Sequence, residues 1–334
     1  MEKEAMLWEK LEEDKVHCKL CSRGCIIKEG KWGFCRVREN KKGKLYTLNY
    51  ALASSIASDP IEKKPLFHFH PGTDVFSLGT LSCNFRCLHC QNYTISQVDL
   101  DKGYLQKVDP ERAVEMAKEY GCEGIAWTYN EPTIWFEYSF DTAKLAKKAG
   151  LYTVYVTNGY MTEEALDTIS PYLDAMNVDV KGFTEKFYKE VCKAKLKPVL
   201  RTVEKAVEKS IHVEVTNLVI PGYNDDEGEI KSLVDWLAGV NDSIPLHFSR
   251  FHPDYELRHV HATPVKTLEK AMEIGLKKLK YVYIGNVPGH KGENTYCYNC
   301  GELLIERWGF VIKQDKITDE NTCPVCGVGI QIVR

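Results

Sequence analysis

Cysteine spacing carries the clearest chemical information in this chain of 334 residues. Cys83, Cys87 and Cys90 stand at the spacing C-x3-C-x2-C, directly after the apolar run 75–79. Three thiolates on one short loop can hold three irons of a [4Fe–4S] cluster. The fourth iron then has no cysteine and stays open to another ligand. An open iron on a reducible cluster suits one-electron chemistry on S-adenosylmethionine (SAM). Two plainer readings compete: a zinc site completed by a distant ligand, and unligated cysteines in a core. The strand-like run before the loop, and His89 before its last cysteine, favour the cluster.

Two further cysteine sets lie at the ends of the chain. Cys18, Cys21, Cys25 and Cys35 follow C-x2-C-x3-C-x9-C, with Gly24, Gly30 and Gly33 between them. So short a span suits one tetrathiolate site, and the glycines permit its tight turns. Zinc and a second iron–sulfur cluster both accept four thiolates, and spacing does not separate them. Cys297-x2-Cys300-Gly301 and Cys323-x2-Cys326-Gly327 flank a strand-rich hairpin at 303–313, the pattern of a zinc ribbon, with rubredoxin-like iron as the alternative. Cys122 and Cys192 stand alone and read as small buried hydrophobes. The first residues lack an apolar signal core, so the clusters read as reduced metal ligands in a cytoplasmic protein. No apolar run approaches the roughly 18 residues of a spanning helix. A net charge of −3 gives no reason to expect nucleic acid or an anionic membrane as partner.

Residues 2–15 read as a short charged helix with Leu7 and Leu11 on one side. Residues 46–57 alternate as a strand or hairpin, and 59–72 form a connection bearing prolines and charges. From residue 75, strand-like runs (75–80, 124–128, 152–157, 175–180, 213–220, 246–250 and 281–284) alternate with amphipathic helical runs. One helix begins at Asp109-Pro110, with Asp109 as its cap. A second carries the stripe Ile230, Leu233, Val234, Leu237. A third begins at Thr263-Pro264. Such alternation predicts an α/β fold with a parallel sheet, arranged as a partial (β/α) TIM-type barrel. The rival is an open doubly wound sheet, but no G-x-G-x-x-G follows the first strand. The division is then 1–71, a Cys-rich lobe and connection; 72–288, the barrel; and 289–334, the ribbon.

Barrel chemistry sits at the carboxyl ends of the strands. The unusual polar residues fall there: the cluster loop, Asn130-Glu131-Pro132, Thr157-Asn158-Gly159, Asp179-Val180-Lys181-Gly182, Thr216-Asn217 with Asn224, and His247, Arg250 and His252. Asp179 and Lys181, two apart, face one side. Taken singly, Glu131 could be a solvated loop acid, Asn158 part of a glycine turn, and Asp179 with Lys181 a strand-end ion pair. Six such motifs at one edge are hard to assign to turns alone. Phe85 and His89 either contact a ligand or pack the loop; His68 and His70 read as loop histidines. Arg250 and His252 share strand parity and could meet an anionic substrate group, or Arg250 could pair with Asp179.

The cluster loop resembles the radical SAM superfamily. Its flanks resemble the radical SAM member of the AmmeMemoRadiSam system, a family often labelled as pyruvate formate-lyase activating enzyme-like. The residues that carry this are His17-Cys18-Lys19-Leu20-Cys21, Asp59-Pro60-Ile61-Glu62-Lys63-Lys64-Pro65-Leu66, Tyr129-Asn130-Glu131-Pro132-Thr133, Gly285-Asn286-Val287-Pro288-Gly289-His290, and 293–301. The resemblance runs the whole chain. It implies reductive cleavage of SAM to a 5′-deoxyadenosyl radical that takes hydrogen from a substrate. It places Asn130-Glu131-Pro132 where the family has Gly-Gly-Glu-Pro, with Glu131 accepting from the SAM ammonium. It gives Thr157 and Asn158 to the ribose, and Asp179 and Lys181 to the methionine moiety and nearby water. It implies a low-potential electron donor and a Memo-type partner. Two other functions stand beside it: a glycyl-radical activase, and a non-catalytic, metal-stapled binding module.

Overall fold

Apolar β-branched and aromatic runs separated by amphipathic helices build one eight-stranded sheet in the computed structural model, which describes residues 2–334. Its strands are β1 (Ser55–Pro60), β2 (Asp74–Gly79), β3 (Gly124–Trp127), β4 (Tyr152–Thr157), β5 (Ala175–Asp179), β6 (His212–Val219), β7 (Leu246–Arg250) and β8 (Val282–Gly285). From β2 to β8 each strand pairs in parallel with the next in chain order. That order has no reversal, which sets aside the doubly wound alternative. β1 is added antiparallel to β2, in register from Ser55↔Gly79 to Pro60↔Asp74. No pairing joins β1 to β8 among the described residues, so hydrogen bonds leave the sheet open. All seven expected strands form, to within two residues at either end.

The crossovers are α1 (Pro110–Glu119), α2 (Phe136–Lys148), α3 (Glu163–Ile169), α4 (Leu196–Glu208), α5 (Glu227–Val240) and α6 (Val265–Gly275). Ile230, Leu233, Val234 and Leu237 of α5 are buried, as their stripe predicts. α1 begins at Pro110, but Asp109 makes no side-chain cap; its carboxylate pairs with Lys107 at 2.8 Å.

Residues 2–15 are not a helix. Lys3–Glu4 pairs with Tyr46 and Thr47, and Trp8–Lys10 pairs with Val16–Cys18. Leu7, Glu13 and Asp14 take positive φ, which breaks any helix there. The strands at 44–47 and 55–60 also take separate partners and do not form one hairpin. The lobe is fastened to the sheet layer by a buried ion pair between Arg38 and Glu137 of α2, both about 1% exposed. At the other end, β9 (Leu303–Trp308) and β10 (Val311–Asp315) form the expected hairpin. Its core is shared with Phe67 of the connection and with Tyr281 and Tyr283 around β8. No helix among the described residues is long and apolar enough to cross a membrane.

Candidate active site

A parallel sheet presents the ends of its strands along one edge, so residues far apart in sequence meet there. At this edge lies a cavity of about 530 Å³. Cys83, Cys87, Cys90, Asn130, Glu131, Thr157, Asn158, Asp179 and Lys181 all line it, with Thr216, Leu218 and Ser249 from β6 and β7. Every residue expected to hold the cluster or SAM lines this cavity, whereas Arg250 and His252, expected to meet a substrate, do not.

The loop after β2 is held from two sides. Ser82 takes φ +75°, its N–H donates to Ile95 O at 2.7 Å, and its hydroxyl donates to Cys35 O of the lobe at 2.7 Å. Arg23 of the lobe donates to Asn84 O at 2.9 Å. On the other side the N–H groups of Arg86 and Leu88 bond Cys192 O and Val191 O at 3.2 and 3.0 Å. These bonds come from the π-helical turn Tyr188–Cys192. Cys192 also sets its thiol against Cys87, a contact that an isolated cysteine in the sequence gives no sign of.

The three thiols face donors suited to thiolates. The Phe85 N–H lies 3.3 Å from Cys83 Sγ, the Asn158 side-chain amide 3.8 Å from the same sulfur, and the Ser96 hydroxyl 2.9 Å from Cys90 Sγ. Burial, and then the nearby Glu131 carboxylate, push the Cys83 thiol well above its ordinary pKa. Such a thiol yields its proton only to a cation bound in its place. The three sulfurs share one short loop but are not all within 4.8 Å of one another, as the ligands of a single ion would be. That arrangement fits a cluster, whose thiolates bind different irons. His89, 3% exposed, lines the same cavity with both ring nitrogens unpartnered in the protein, so a bound ligand could meet them.

Glu131 is the hub of the second strand's end. Its Oε1 accepts from Thr133 N–H at 2.9 Å, the Thr133 hydroxyl at 2.5 Å and the Thr157 hydroxyl at 2.7 Å. Its Oε2 accepts from Asn158 N–H at 2.8 Å, which leaves capacity on that oxygen for a further donor. Burial raises the Glu131 pKa, while these bonds oppose the rise. It is not a solvated loop acid: it is 1% exposed.

Asn130 accepts from Thr80 N–H at 3.1 Å and donates to Ser82 O at 2.8 Å, tying this loop to the cluster loop. Tyr129 takes φ +69°, a conformation that favours glycine. Its hydroxyl bonds Asp59 and its carbonyl accepts from Asn92 at 2.7 Å, which holds the strained residue in place.

Asp179 and Lys181 pair at 2.9 Å at the cavity wall. Burial disfavours the Lys181 charge, but Asp179 and the Cys87 and Cys192 thiols outweigh it and raise its pKa. Arg250 does not pair with Asp179 and is absent from the cavity lining; its Nε donates to Thr263 O at 2.9 Å. His252 is exposed, and His247 is buried against Glu214 at 2.7 Å. His68 is a loop histidine, as expected, but a buried one held in a hydrogen-bond chain. Sequence reading also missed Lys63, Lys64 and the ribbon's Phe310 at this cavity, because no local pattern links either segment to the strand ends.

Residues 78–237 match the Radical SAM superfamily, a span that holds the cluster loop, the Glu131 network and the Asp179–Lys181 pair. The chain carries a radical SAM superfamily domain. Members of this superfamily are enzymes, which sets aside the non-catalytic module. Among its relatives is an uncharacterized protein of Methanocaldococcus jannaschii, 51% identical over 334 residues and 99% of each chain. A putative glycyl-radical enzyme activating enzyme of the same organism is 25% identical over 221 residues, covering 63% of this chain and 80% of its own. The fold is shared with Streptococcus suis SuiB bound to SAM, at TM-score 0.51 and 12% identity, over 68% of this chain and 53% of that one. The superfamily implies a [4Fe–4S] cluster and SAM, and the residues at the cavity fit both.

At the ribbon, Cys297 and Cys326 lie 3.6 Å apart and Cys300 and Cys323 3.7 Å apart, sulfur to sulfur. Tetrahedral ligands at a Zn–S distance of about 2.3 Å stand about 3.8 Å apart, so this set is shaped for one metal ion.

Proposed function

We propose that this protein is a radical SAM enzyme of the AmmeMemoRadiSam system, working with a Memo-type partner on a substrate held at the carboxyl edge of an incomplete (β/α) barrel. Cys83, Cys87 and Cys90, which line the cavity, would hold the [4Fe–4S] cluster. When bound, the cluster and SAM together supply a 5′-deoxyadenosyl radical that abstracts hydrogen from the substrate. The chain's residues position and shield. Glu131 offers the free capacity of Oε2 to the SAM ammonium and fixes Thr157 and Asn158, the ribose-side residues, through its other bonds. Asn130 and Tyr129 lock the two loops in register. Lys181 and Asp179 form a polar wall for the methionine end. Lys63 and Lys64 reach this cavity too, but both pair with Asp59, at 2.8 and 2.6 Å. The lobe at 1–71 receives a low-potential electron donor, and the ribbon at 289–334 carries structural zinc.

The convergence of three thiols, the buried Glu131 and the unpartnered His89 on one cavity carries this reading. The test is anaerobic incubation of reconstituted, reduced protein with SAM. We expect 5′-deoxyadenosine and methionine, formed faster when the Memo-type protein and its product are added. Protein with a full complement of iron that makes no 5′-deoxyadenosine would sink the proposal. The relative named as a glycyl-radical enzyme activating enzyme favours a second reading, in which the substrate is a glycine of another protein. A glycyl radical signal on a co-purifying protein would select it.

A further inference from the structure

The N-terminal cysteines are spaced unlike those of the ribbon and like those of the barrel. Among the described residues, the ribbon set is the one group of three or more candidate ligands drawn within 4.8 Å of one another. Cys18, Cys21, Cys25 and Cys35 are near neighbours: Cys18 N–H donates to Cys25 O at 2.9 Å, Gly24 N–H to Cys21 O at 3.1 Å, and the N–H of Phe34, next to Cys35, lies 3.5 Å from Cys25 Sγ. No three of them close to single-ion spacing. Cys83, Cys87 and Cys90 behave in the same way. Four ligands of one tetrahedral ion must crowd together. Thiolates of an iron–sulfur cluster bind separate irons and stand wider apart.

The lobe's cysteines also abut the barrel's cluster loop. Cys35 O accepts from the Ser82 hydroxyl at 2.7 Å, one residue before Cys83. Arg86 donates to Phe34 O at 3.0 Å and to Cys83 O at 2.6 Å, so one guanidinium spans both centres. Arg23, between Cys21 and Cys25, bonds Asn84 O and stacks on the Phe34 ring at 3.9 Å. The outer side of the lobe, around Cys25, exposes Ile26, Trp32 and Phe34. The lobe therefore reaches from solvent to the residue that precedes the first barrel ligand.

We propose that Cys18, Cys21, Cys25 and Cys35 hold a second iron–sulfur cluster, packed against the barrel's cluster loop through Cys35 and Ser82, as the site that receives an electron from outside. Its purpose rests on the radical SAM reading; its existence does not. A reduced one-electron carrier, such as an iron–sulfur protein or flavoprotein, loses one electron. Cys18, Cys21, Cys25 and Cys35 would hold the cluster that takes up this electron, and the cluster held by Cys83, Cys87 and Cys90 would be its acceptor, with no proton moved and no bond made or broken.

The test uses the full chain, reconstituted anaerobically with iron and sulfide, in three forms. The Cys83→Ala/Cys87→Ala/Cys90→Ala variant should retain about four irons and four labile sulfides, the content of one [4Fe–4S] cluster, and become paramagnetic on reduction. The Cys18→Ser/Cys35→Ser variant should lose about the same amount from wild type and keep the rest, so either variant alone decides the question if the other fails to fold. In reduced wild type, coupling between two close paramagnets should broaden the electron paramagnetic resonance spectrum beyond the sum of the two variants' spectra. Zinc without labile sulfide at the N-terminal cysteines would overturn the cluster. A wild-type spectrum equal to the simple sum would overturn its placement against the barrel loop. Failure of SAM cleavage would leave all these readings unchanged, so the two proposals fail separately.

Discussion

The two ends of the chain are built on a common plan. Each carries four cysteines, and each has a buried arginine that ties it to a neighbouring segment. Arg38 of the lobe pairs with Glu137 and donates to Met6 O at 3.1 Å. Arg307 of the ribbon donates to Phe67 O at 3.0 Å and to the Thr295 hydroxyl at 2.7 Å. The sulfurs nevertheless differ in spacing, as described above. What surrounds them differs as well. The ribbon knuckles lie outside the sheet, with Cys300 and Cys326 exposed. The lobe's cysteines are mostly buried and back onto the active loop. A compact, exposed set suits a staple. A wider, buried set beside a reactive loop suits electron traffic.

The largest effect that can break this comparison is on chemistry. Cys83→Ala/Cys87→Ala/Cys90→Ala should abolish 5′-deoxyadenosine formation entirely while ribbon metal stays at one ion per chain. Elemental analysis alongside product chromatography reads both. Residual SAM cleavage in that variant would mean that the active cluster lies elsewhere.

The ribbon comes next. Structural zinc in finger peptides contributes roughly 10–16 kcal/mol to folding. Cys297→Ala/Cys323→Ala should therefore remove the ribbon's metal ion and lower the melting temperature strongly. The iron content should not change, because no ribbon cysteine faces the cavity. Loss of iron together with that ion would show that the two ends are not separate devices.

These expectations rest unevenly on sequence. The parallel strands and the residues at their ends are legible because apolar strand-like runs, amphipathic helix stripes and the cluster spacing are local signals. Residues 2–15 mislead because two leucines four apart mimic a helix stripe, whereas Lys3–Glu4 pairs with residues more than forty positions away and Trp8–Lys10 turns back on Val16–Cys18. Cys192, Phe310 and Lys64 reach the site only through tertiary packing. Arg250 was placed on the correct strand, but the choice between a ligand and the Thr263 carbonyl is made by α6's approach, which no sequence pattern records.

Glu131 offers a smaller effect, in the barrel alone. Glu131→Ala removes an acceptor of four hydrogen bonds, and bonds to charged groups contribute about 1.5–3 kcal/mol each. SAM binding should weaken by about 10- to 100-fold, with iron content kept, in equilibrium binding of SAM to reconstituted protein. Unchanged SAM affinity would confine Glu131 to bracing the loops.

The smallest effect concerns how the ribbon is seated. His68, fully buried, lies 2.6 Å from Gln331 O through Nδ1 and 2.5 Å from the Tyr283 hydroxyl through Nε2. A carbonyl can only accept, so Nδ1 carries the proton and Nε2 accepts from Tyr283. Arg307 donates to Thr295 and the Thr295 hydroxyl lies 2.9 Å from that of Tyr283, so one directed chain runs from the ribbon through β8 to the connection. Burial, more than any neighbouring charge, lowers the His68 pKa to about 4 from its ordinary value of 6.5. Below the ordinary value the unfolded chain binds a proton that the folded one refuses. Stability from this group is therefore complete above about pH 6.5 and is lost as pH falls towards 4, at up to about 1.4 kcal/mol per pH unit. A second proton would also set Nε2–H against the Tyr283 hydroxyl proton. His68→Gln keeps a donor and an acceptor without titrating near neutrality. Denaturant unfolding at pH 7 and pH 5 should show a smaller fall in stability for this variant than for wild type. Equal falls would mean that acid acts through other groups, with the buried Glu214, held far below the usual carboxylate range by His212 and His247, as the next candidate.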